Sequence, residues 1–221
     1  VIQGVLENLN LPYVGTDIAG SILGFDKELT KRLLQQAKIP TADFLCIKKG
    51  DDIPLWSEIT QRWKGKKVFV KPSRTGSSIG VSCVINEEDY HRAIKEAFTY
   101  DHKIIIEEEI KGRELEVAVL GFDSIESSTI GEIVNHDVFY SYEAKYLDAK
   151  KSDLNIPAQL TQKQIEACKA IAHKTFRCLV GSGMARVDVF LSQEDNRTLF
   201  VNEVNTMPGF TSISMYPKLW E

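Results

Sequence analysis

The segment that decides the fold reads A-R-V-D-V-F-L at residues 185–191 and L-F-V-N-E-V-N-T-M-P-G-F-T-S-I-S-M at residues 199–215. Each part begins with a run rich in Val, Phe and Leu, and residues 192–197 between them are polar. Such a pattern predicts an antiparallel hairpin with the polar residues at its turn. Strand side chains alternate between two faces. The apolar residues of the first strand therefore share one face: Val187, Val189 and Leu191.

The predicted hairpin also carries polar residues at alternate positions. Arg186 and Asp188 share a face of the first strand, and Glu203 and Asn205 share a face of the second, from which Val204 points away. If the two polar faces coincide, two carboxylates, an amide oxygen and a guanidinium converge. Oxygen ligands of this kind suit Mg²⁺, which links protein carboxylates to substrate phosphates, and the lack of neighbouring Cys or His argues against zinc. The alternative is four solvated residues on the outside of an ordinary sheet.

The composition is that of an ordinary soluble globular protein, with 221 residues, 43% hydrophobic and 26% charged, and a net charge of -4. This length suits one large domain or two small ones, and the lack of a basic surface argues against nucleic acid as a partner. The four cysteines form no C-x-x-C pair and are interpreted as reduced thiols of a cytoplasmic protein. No apolar run of about 18 residues and no apolar leader is seen, so we predict no membrane span. Because the sequence starts at Val1 and stops without an obvious end signal, we expect an internal piece of a longer protein.

A second candidate site is a loop rich in Gly and Ser. Residues 67–72 (K-V-F-V-K-P) have the pattern of a strand that ends near Lys71, and residues 73–81 (S-R-T-G-S-S-I-G-V) follow it. Glycine permits a close backbone approach, so consecutive N–H groups of such a loop can bind phosphate. The loop is not a Walker motif, because its lysine precedes the glycines. The alternative is a turn that binds nothing.

Other polar residues stand at the ends of predicted elements. Lys27 opens a predicted helix, and it is either a phosphate contact or a surface residue. The strand at residues 103–109 turns from apolar to acidic, and the strand at residues 113–120 places Glu114 and Glu116 on one face. Acidic residues at strand ends can accept hydrogen bonds from ribose, although most are simply solvated.

Two further helices have clear start signals. Asn86 precedes a helical pattern over residues 87–98 with three acidic residues in its first turn. Residues 161–164 (T-Q-K-Q) fit a capping box that opens a helix to about residue 179. We therefore predict both helices to begin at these caps.

One aromatic segment is a candidate lid. Residues 139–147 (F-Y-S-Y-E-A-K-Y-L) hold three tyrosines, a phenylalanine and a lysine, and a polar stretch follows to residue 155. Long irregular loops with aromatic side chains are often lids. The alternative is an amphipathic strand with one solvated side.

Four sequence blocks, taken together, resemble the D-alanine:D-alanine ligases of the ATP-grasp superfamily. They are K-P-S-R-T-G-S-S-I-G-V at residues 71–81, E-E-E-I-K-G-R-E-L-E-V-A-V-L at 107–120, F-Y-S-Y-E-A-K-Y at 139–146, and M-A-R-V-D-V-F followed by N-E-V-N-T-M-P-G-F-T within 184–211. The resemblance implies an α+β, ATP-grasp fold in which two α+β subdomains clasp a nucleotide. It assigns residues 1–25 to the end of an α/β N-terminal domain, 26–110 to the central subdomain and 111–221 to the C-terminal catalytic subdomain. The earlier part of the first domain and a C-terminal helix are then lacking.

The resemblance also implies a role for each matching residue. The phosphate contacts are Lys27, Lys71 and Lys145, and the loop at residues 76–80, with Ser78, covers the phosphates. The adenine and ribose contacts are Glu107, Glu108, Glu109, Ile110 and Glu114. Two Mg²⁺ ions, or Mn²⁺ in their place, are held by Asp188, Glu203 and Asn205. The catalytic residues are Arg186 and Gly209 at the oxyanion, Lys145 at the transferred phosphoryl group, and Ser77 and Tyr146, which hold the lid. The substrate contacts are Tyr146, Arg186, Gly209, Ser214 and Met215.

The implied reaction forms D-alanyl-D-alanine, a peptidoglycan precursor. ATP phosphorylates the carboxylate of one D-alanine, and the amine of a second attacks the acyl phosphate. The E-A-K-Y sequence at residues 143–146 favours D-alanine over D-lactate as the second substrate, whereas D-serine is less well excluded. The resemblance implies D-alanine and ATP as small-molecule partners, a homodimer and a bacterial cytoplasmic location. The alternatives are a D-alanine:D-serine ligase, another ATP-grasp ligase of carboxylates with amines, and a nucleotide-binding module without catalysis.

Overall fold

A computed structural model of the protein describes residues 1–135 and 152–221. In chain order, the helices and strands of these residues are α1 Ile2–Asn8, α2 Ile18–Phe25, α3 Lys27–Gln36, β1 Phe44–Lys48, α4 Trp56–Arg62, β2 Val68–Pro72, β3 Ser82–Val84, α5 Glu87–Tyr100, β4 Lys103–Glu108, β5 Gly112–Gly121, β6 Ile125–Asn135, β7 Ser152–Asn155, α6 Gln162–Cys178, β8 Gly183–Ser192, β9 Leu199–Asn205 and α7 Met215–Lys218. They form two compact units. One comprises Val1–Thr41, Lys111–Val134 and Asp153–Glu221, and the other contains Ala42–Ile110.

The unit containing Ala42–Ile110 is built on a four-stranded antiparallel sheet of order β1-β4-β2-β3. Helices α4 and α5 pack on this sheet. Helix α5 begins at the predicted cap, where the Asn86 side chain accepts a hydrogen bond from the Asp89 N–H. The core between helices and sheet consists of Ile47, Ile59, Trp63, Val68, Val70, Val84, Tyr90, Ala93, Ile94, Ala97, Ile104 and Ile106.

The other unit is built on a five-stranded sheet of order β7-β6-β5-β8-β9. The pairs β6–β5, β5–β8 and β8–β9 are antiparallel. Helix α6 covers one face and begins at the predicted capping box of Thr161 and Gln164. Its buried residues pack against the inward side chains of the central strands: Cys168, Ala172 and Phe176 against Leu115, Val117, Val187, Val189 and Leu191.

Helices α2 and α3 are separated by a single residue, Asp26. Its carboxylate caps α3 by accepting a hydrogen bond from the Leu29 N–H at 3.3 Å, so Lys27 is the first residue of the helix, as predicted. The buried Lys31 of α3 donates from Nζ to Thr41 Oγ1 at 2.9 Å, and Thr41 donates to the Val201 carbonyl at 2.8 Å. Helix α3 is thereby joined to strand β9.

Each unit combines helices with an antiparallel sheet, which confirms the predicted α+β class. The domain limits at residues 1–25, 26–110 and 111–221 stay a prediction. In the two described stretches, 1–135 and 152–221, no helix has both the length and the apolar character needed to cross a membrane.

Candidate active site

The predicted hairpin is formed by β8 and β9, and its two polar faces coincide. Arg186 is opposite Asn205, and Asp188 is opposite Glu203. Because side chains at directly opposite positions point to the same side of a sheet, the four polar side chains share one face. The predicted convergence of these residues is confirmed.

A β-bulge interrupts the hairpin at Asn202. Asp188 is opposite Glu203, but the next residue, Val189, is opposite Val201, so Asn202 is the extra residue of β9. Val201 and Val204 are both buried in the core under α6 although they are three positions apart. The bulge therefore lets β9 bury both valines while Glu203 and Asn205 stay on the polar face.

Strand β5 adds a third carboxylate to this face. Glu116 is opposite Asp188 on the side away from β9. Glu116, Asp188 and Glu203 thus form a row of carboxylates across β5, β8 and β9, which we call the carboxylate row. Like charges at directly opposite positions repel, so the row requires positive charge close by.

Arg186 supplies part of this positive charge. Its Nε donates to Asp188 Oδ1 at 2.7 Å and its Nη2 to Asp188 Oδ2 at 2.8 Å, while Nε also lies 3.0 Å from Glu116 Oε2. The Asn205 side-chain amide donates to Asp188 Oδ2 at 3.0 Å. Burial works to lower the pKa of Arg186, but the charges of Asp188, Glu116 and Glu203 outweigh it and raise that pKa above its usual value. The guanidinium is therefore permanently charged and held in one orientation.

The chemistry of the carboxylate row fits a divalent cation. Among the described side chains of this face, three carboxylates lie around one guanidinium, and the possible metal donors are all oxygen atoms. In the part of the chain that the structure describes, no three His, Cys, Asp or Glu side chains already have the geometry of a metal cluster. Mg²⁺ does not need a site whose ligands all come from the protein. It commonly keeps several waters and binds through one or two carboxylates plus substrate phosphates. Asp188, Glu203 and Asn205 therefore fit the predicted ion by their composition and placement.

The segment after β9 borders this face. Ser214 Oγ accepts a hydrogen bond from the Thr211 N–H at 3.0 Å, and a side-chain carbon at Gly209 would lie 2.8 Å from that oxygen. Met215 begins α7 and is buried with Ala118 and other residues of a small core cluster. The predicted substrate contact of Met215 stays a prediction.

The Gly- and Ser-rich loop at residues 73–81 connects β2 to β3 in the other unit. Ser77 and Ser78 have positive φ angles, 53° and 59°, in the left-handed region that non-glycine residues seldom adopt. Such conformations cost energy and persist where the surroundings hold them, often at functional sites. The binding role of this loop stays a prediction.

Lys71, before that loop, pairs with the buried carboxylate of Glu107 on β4. The next two acidic residues also face lysines. Glu108 lies 2.8 Å from Lys66 Nζ, and Glu109 lies 4.0 Å from Lys67 Nζ. Lys71 and the predicted adenine contacts up to Ile110 therefore belong to one local group in this unit.

The remaining predicted residues are divided between the other unit and the lid. Lys27 at the start of α3 and Glu114 on β5 both belong to the unit of the five-stranded sheet. Lys145 and Tyr146, with the rest of the predicted lid, lie outside the described residues.

Glu116 is a site residue to which the sequence assigned no role. Its alternation with Glu114 shows which face it takes, but its approach to Arg186 depends on the pairing of β5 with β8, 70 residues apart in the chain. A pattern within one strand does not contain that pairing.

A family model described as D-ala D-ala ligase C-terminus matches residues 33–221. The chain belongs to this ligase family. A D-alanine–D-alanine ligase of Oceanobacillus iheyensis is 44% identical over 220 residues, which are 100% of this chain and 60% of that relative. The family match confirms the resemblance on which the site residues were predicted.

Solved structures of related ligases show the same fold. The D-alanine-D-alanine ligase of Coxiella burnetii has a TM-score of 0.83 at 36% identity, covering 99% of this chain and 58% of that structure. A D-Ala:D-Ser ligase from Enterococcus faecalis has a TM-score of 0.86 at 33% identity, with 99% and 63% covered. The predicted ATP-grasp fold is confirmed. The chain spans 60% of the length of the Oceanobacillus relative, so the ligase family is represented here by part of its usual length.

Proposed function

We propose that the protein carrying this chain joins two D-alanine molecules into D-alanyl-D-alanine with ATP, for peptidoglycan synthesis. One observation carries the proposal: in a chain of this ligase family, the pairing of β8 with β9 gathers Arg186, Asp188, Glu203 and Asn205 on one face. The curated relatives named D-alanine–D-alanine ligase support the substrate assignment.

The proposed reaction has two steps. The carboxylate of one D-alanine takes the γ-phosphoryl group of ATP, because a free carboxylate has no leaving group. The amine of the second D-alanine then attacks the acyl phosphate, and inorganic phosphate leaves. Both steps place negative charge on oxygen atoms, so positioned positive charge is the main requirement.

Arg186 is assigned to the oxyanion that forms when the amine attacks. Its guanidinium is planar and is held by Asp188 and Glu116, so little reorganisation is needed as charge develops. The backbone of Gly209 is assigned to the same oxyanion. The close approach of Gly209 to Ser214 supports a backbone role, since a side chain there would collide with Ser214 Oγ.

Asp188, Glu203 and Asn205 are assigned to two Mg²⁺ ions, with Mn²⁺ able to replace them. When bound, these ions would neutralise the phosphate oxygens of ATP. The three carboxylates of the carboxylate row support this assignment, because negatively charged oxygen atoms are suitable ligands for these cations.

The nucleotide contacts are assigned from the family resemblance. Lys27, Lys71 and the loop with Ser77 and Ser78 bind phosphates, and the segment from Glu107 to Ile110 binds adenine. Glu114 accepts a hydrogen bond from the ribose. The left-handed conformations of the two serines support the loop assignment.

The lid assignments and the cellular context complete the proposal. Lys145 is assigned to the transferred phosphoryl group, and Tyr146 to the closed lid with Ser77 and to the second substrate beside Ser214 and Met215. We propose D-alanine and ATP as the small-molecule partners. The homodimer and the bacterial cytoplasmic location stay predictions.

The experiment that tests the function uses the full gene product. Phosphate release from ATP is measured with Mg²⁺ and D-alanine, alone or with D-serine or D-lactate, and the product is identified by mass. We expect release that depends on D-alanine and yields D-alanyl-D-alanine. A mixed D-alanyl-D-serine product would instead establish the D-serine activity named for the Enterococcus structure. Nucleotide binding without release under any of these conditions would favour a module without catalysis.

A further inference from the structure

The carboxylate of Asp101 holds the start of the phosphate loop, residues 73–81. Asp101 is the C-terminal cap of α5 and is buried. Its Oδ2 accepts hydrogen bonds from the Arg74 backbone N–H at 2.9 Å and from Arg74 Nε at 3.1 Å, and its Oδ1 accepts one from Arg74 Nη2 at 2.6 Å. The Lys103 N–H donates to Oδ1 at 3.2 Å. One buried carboxylate thus fixes both the backbone and the side chain of Arg74.

The charge of this carboxylate is stabilised where it lies. Burial works to raise the pKa of Asp101, but the hydrogen bonds from Arg74 and Lys103 outweigh burial and lower it. The Arg74 guanidinium also contacts the His102 ring, with Nη2 2.9 Å from Nδ1. Charge-assisted pairs with two parallel hydrogen bonds are among the strongest and most directional in proteins.

The neighbouring residue, Tyr100, holds the end of the same loop. Gly80 has a φ of 71°, and a side-chain carbon there would lie 2.5 Å from Tyr100 Cδ2 and 2.8 Å from Pro72 Cγ. Gly80 is therefore required twice, by its backbone angle and by the space between the two rings. Two consecutive residues therefore contact the two ends of the loop: Asp101 contacts its start at Arg74, and Tyr100 contacts its end at Gly80.

Between these two anchors the loop is held by its own hydrogen bonds. Thr75 Oγ1 donates to the Ile79 carbonyl at 3.0 Å, and the Ile79 N–H donates to the Gly76 carbonyl at 3.0 Å. A side-chain carbon at Gly76 would meet no described atom within 4 Å. Ser77 and Ser78, with their left-handed angles, therefore lie within a loop that is held by its own hydrogen bonds and fixed at both ends.

We propose that Asp101, with Tyr100, is a positioning residue for ATP: the pair fixes both ends of the phosphate loop and so sets its shape for the nucleotide phosphates. The inference rests on the proposed function, since that assigns the loop to ATP. Asp101 itself does not touch the nucleotide in this role. It acts through Arg74.

The test measures ATP binding separately from ligation. The full gene product and its Asp101→Asn variant are titrated with ATP and Mg²⁺ by calorimetry, without D-alanine. Asparagine keeps the shape of the side chain but removes its charge. We expect the Kd for ATP to rise about tenfold or more, because hydrogen bonds to a charged group are replaced by neutral ones. In the ligation assay, the KM for ATP is expected to rise similarly while the KM for D-alanine stays within about twofold.

A matched control lies at the other end of the same helix. Asp89 pairs with Arg92 in the first turn of α5, away from the phosphate loop, so Asp89→Asn is expected to leave the Kd for ATP unchanged. Arg74→Lys is the milder change should Asp101→Asn fail to fold. Lysine keeps the positive charge but loses the paired hydrogen bonds, so we expect a smaller rise in the Kd for ATP.

The outcomes separate this inference from the proposed function. Two results would overturn the positioning role. One is an unchanged Kd for ATP in both Asp101→Asn and Arg74→Lys. The other is an equal rise in the KM for ATP and the KM for D-alanine together with a lower Tm. A wild-type protein that binds ATP but forms no dipeptide would overturn the proposed ligation, while the calorimetric comparison would still decide the role of Asp101. A wild-type protein that binds no ATP would overturn both.

Discussion

Asp188 and Glu203 are opposite each other on neighbouring strands, at a position where two carboxylates repel. Glu116, opposite Asp188 on the other side, extends the same repulsion to a third strand. Arg186, which pairs with Asp188 and Glu116, offsets part of this repulsion. A group of charges that weakens the sheet but suits a cation is expected where binding, and not stability, determines the residues.

Replacing Glu203 should separate activity from stability. We expect Glu203→Gln to lower magnesium-dependent turnover by about a hundredfold or more, since an anionic ligand is lost. The free energy of unfolding should stay equal or rise by up to about 1 kcal/mol, because a like charge opposite Asp188 is removed. Phosphate-release kinetics and urea unfolding measure the two effects. Wild-type turnover in the Glu203→Gln variant would show that Glu203 is not a metal ligand.

Arg186→Lys tests the need for a planar pair of donors. Lysine keeps the charge but cannot make the two parallel hydrogen bonds to Asp188. We expect kcat to fall by about 10²- to 10³-fold, the range seen when an oxyanion donor is lost. The Kd for ATP, measured by calorimetry, should change little. A large loss of ATP binding with an unchanged kcat would contradict the oxyanion role.

Glu116→Gln tests whether Glu116 orients Arg186. The Glu116 carboxylate lies 3.0 Å from Arg186 Nε, and glutamine preserves its size without its charge. We expect about a tenfold fall in kcat with an unchanged KM for ATP. A parallel Glu126→Gln variant on the exposed part of β6 serves as a control. Equal kinetics in the two variants would show that Glu116 has no part in orienting Arg186.

Gly209→Ala should disturb the segment that follows β9. The added carbon would lie 2.8 Å from Ser214 Oγ, so the hydroxyl or the backbone must move. Because Ser214 also accepts the Thr211 N–H, we expect a higher KM for D-alanine, by about threefold to tenfold. The KM for ATP, measured in the same steady-state assay, should stay constant. The reverse pattern would argue against placing the second substrate here.

The ion pair between Glu132 and Arg113 should contribute to the free energy of unfolding in a way that depends on pH. Arg113 Nε and Nη2 each donate to Glu132 at 2.7 Å, and these hydrogen bonds lower the pKa of Glu132 below its ordinary value of 4.5, outweighing burial. A lowered pKa in the folded state means that the pair stabilises fully above pH 4.5 and loses this effect as the pH falls through the lowered value. Urea unfolding should therefore separate the wild type from Glu132→Gln by about 1 kcal/mol at pH 7. The difference should vanish in acid. A constant difference at all pH values would show that the charge of Glu132 is irrelevant.

Local patterns were sufficient for several parts of the site. Alternation alone put Arg186 and Asp188 on one face and Glu203 and Asn205 on another, and the turn between them implied the hairpin. The capping residues Asn86 and Thr161 located the starts of two helices for the same reason: the signal lies within four residues.

Long-range pairing was not readable from these patterns. The Glu116 carboxylate reaches Arg186 only because β5 pairs with β8. In the same way, Arg74 and Asp101 are in contact although they are 27 residues apart in the sequence. Which strands become neighbours depends on the packing of a whole sheet, whereas sequence patterns report on one strand at a time. The roles taken from the family resemblance, such as those of Lys27 and Ser214, also depend on where a bound substrate lies.

The extra residue Asn202 changes which positions of strand β9 are buried: odd-numbered residues before it, and even-numbered residues after it. Leu199 and Val201 are odd-numbered and buried, yet Glu203 and Asn205, also odd-numbered, face the polar side, and the even-numbered Val204 is buried. Deleting Asn202 would restore one parity along the strand. Val201 and Val204 would then stay in the core and Glu203 and Asn205 on the polar face, because the shortened strand alternates regularly. What Asn202 adds is the bulge itself, so the deletion isolates the effect of the bulge on the site from any exchange of core and polar residues.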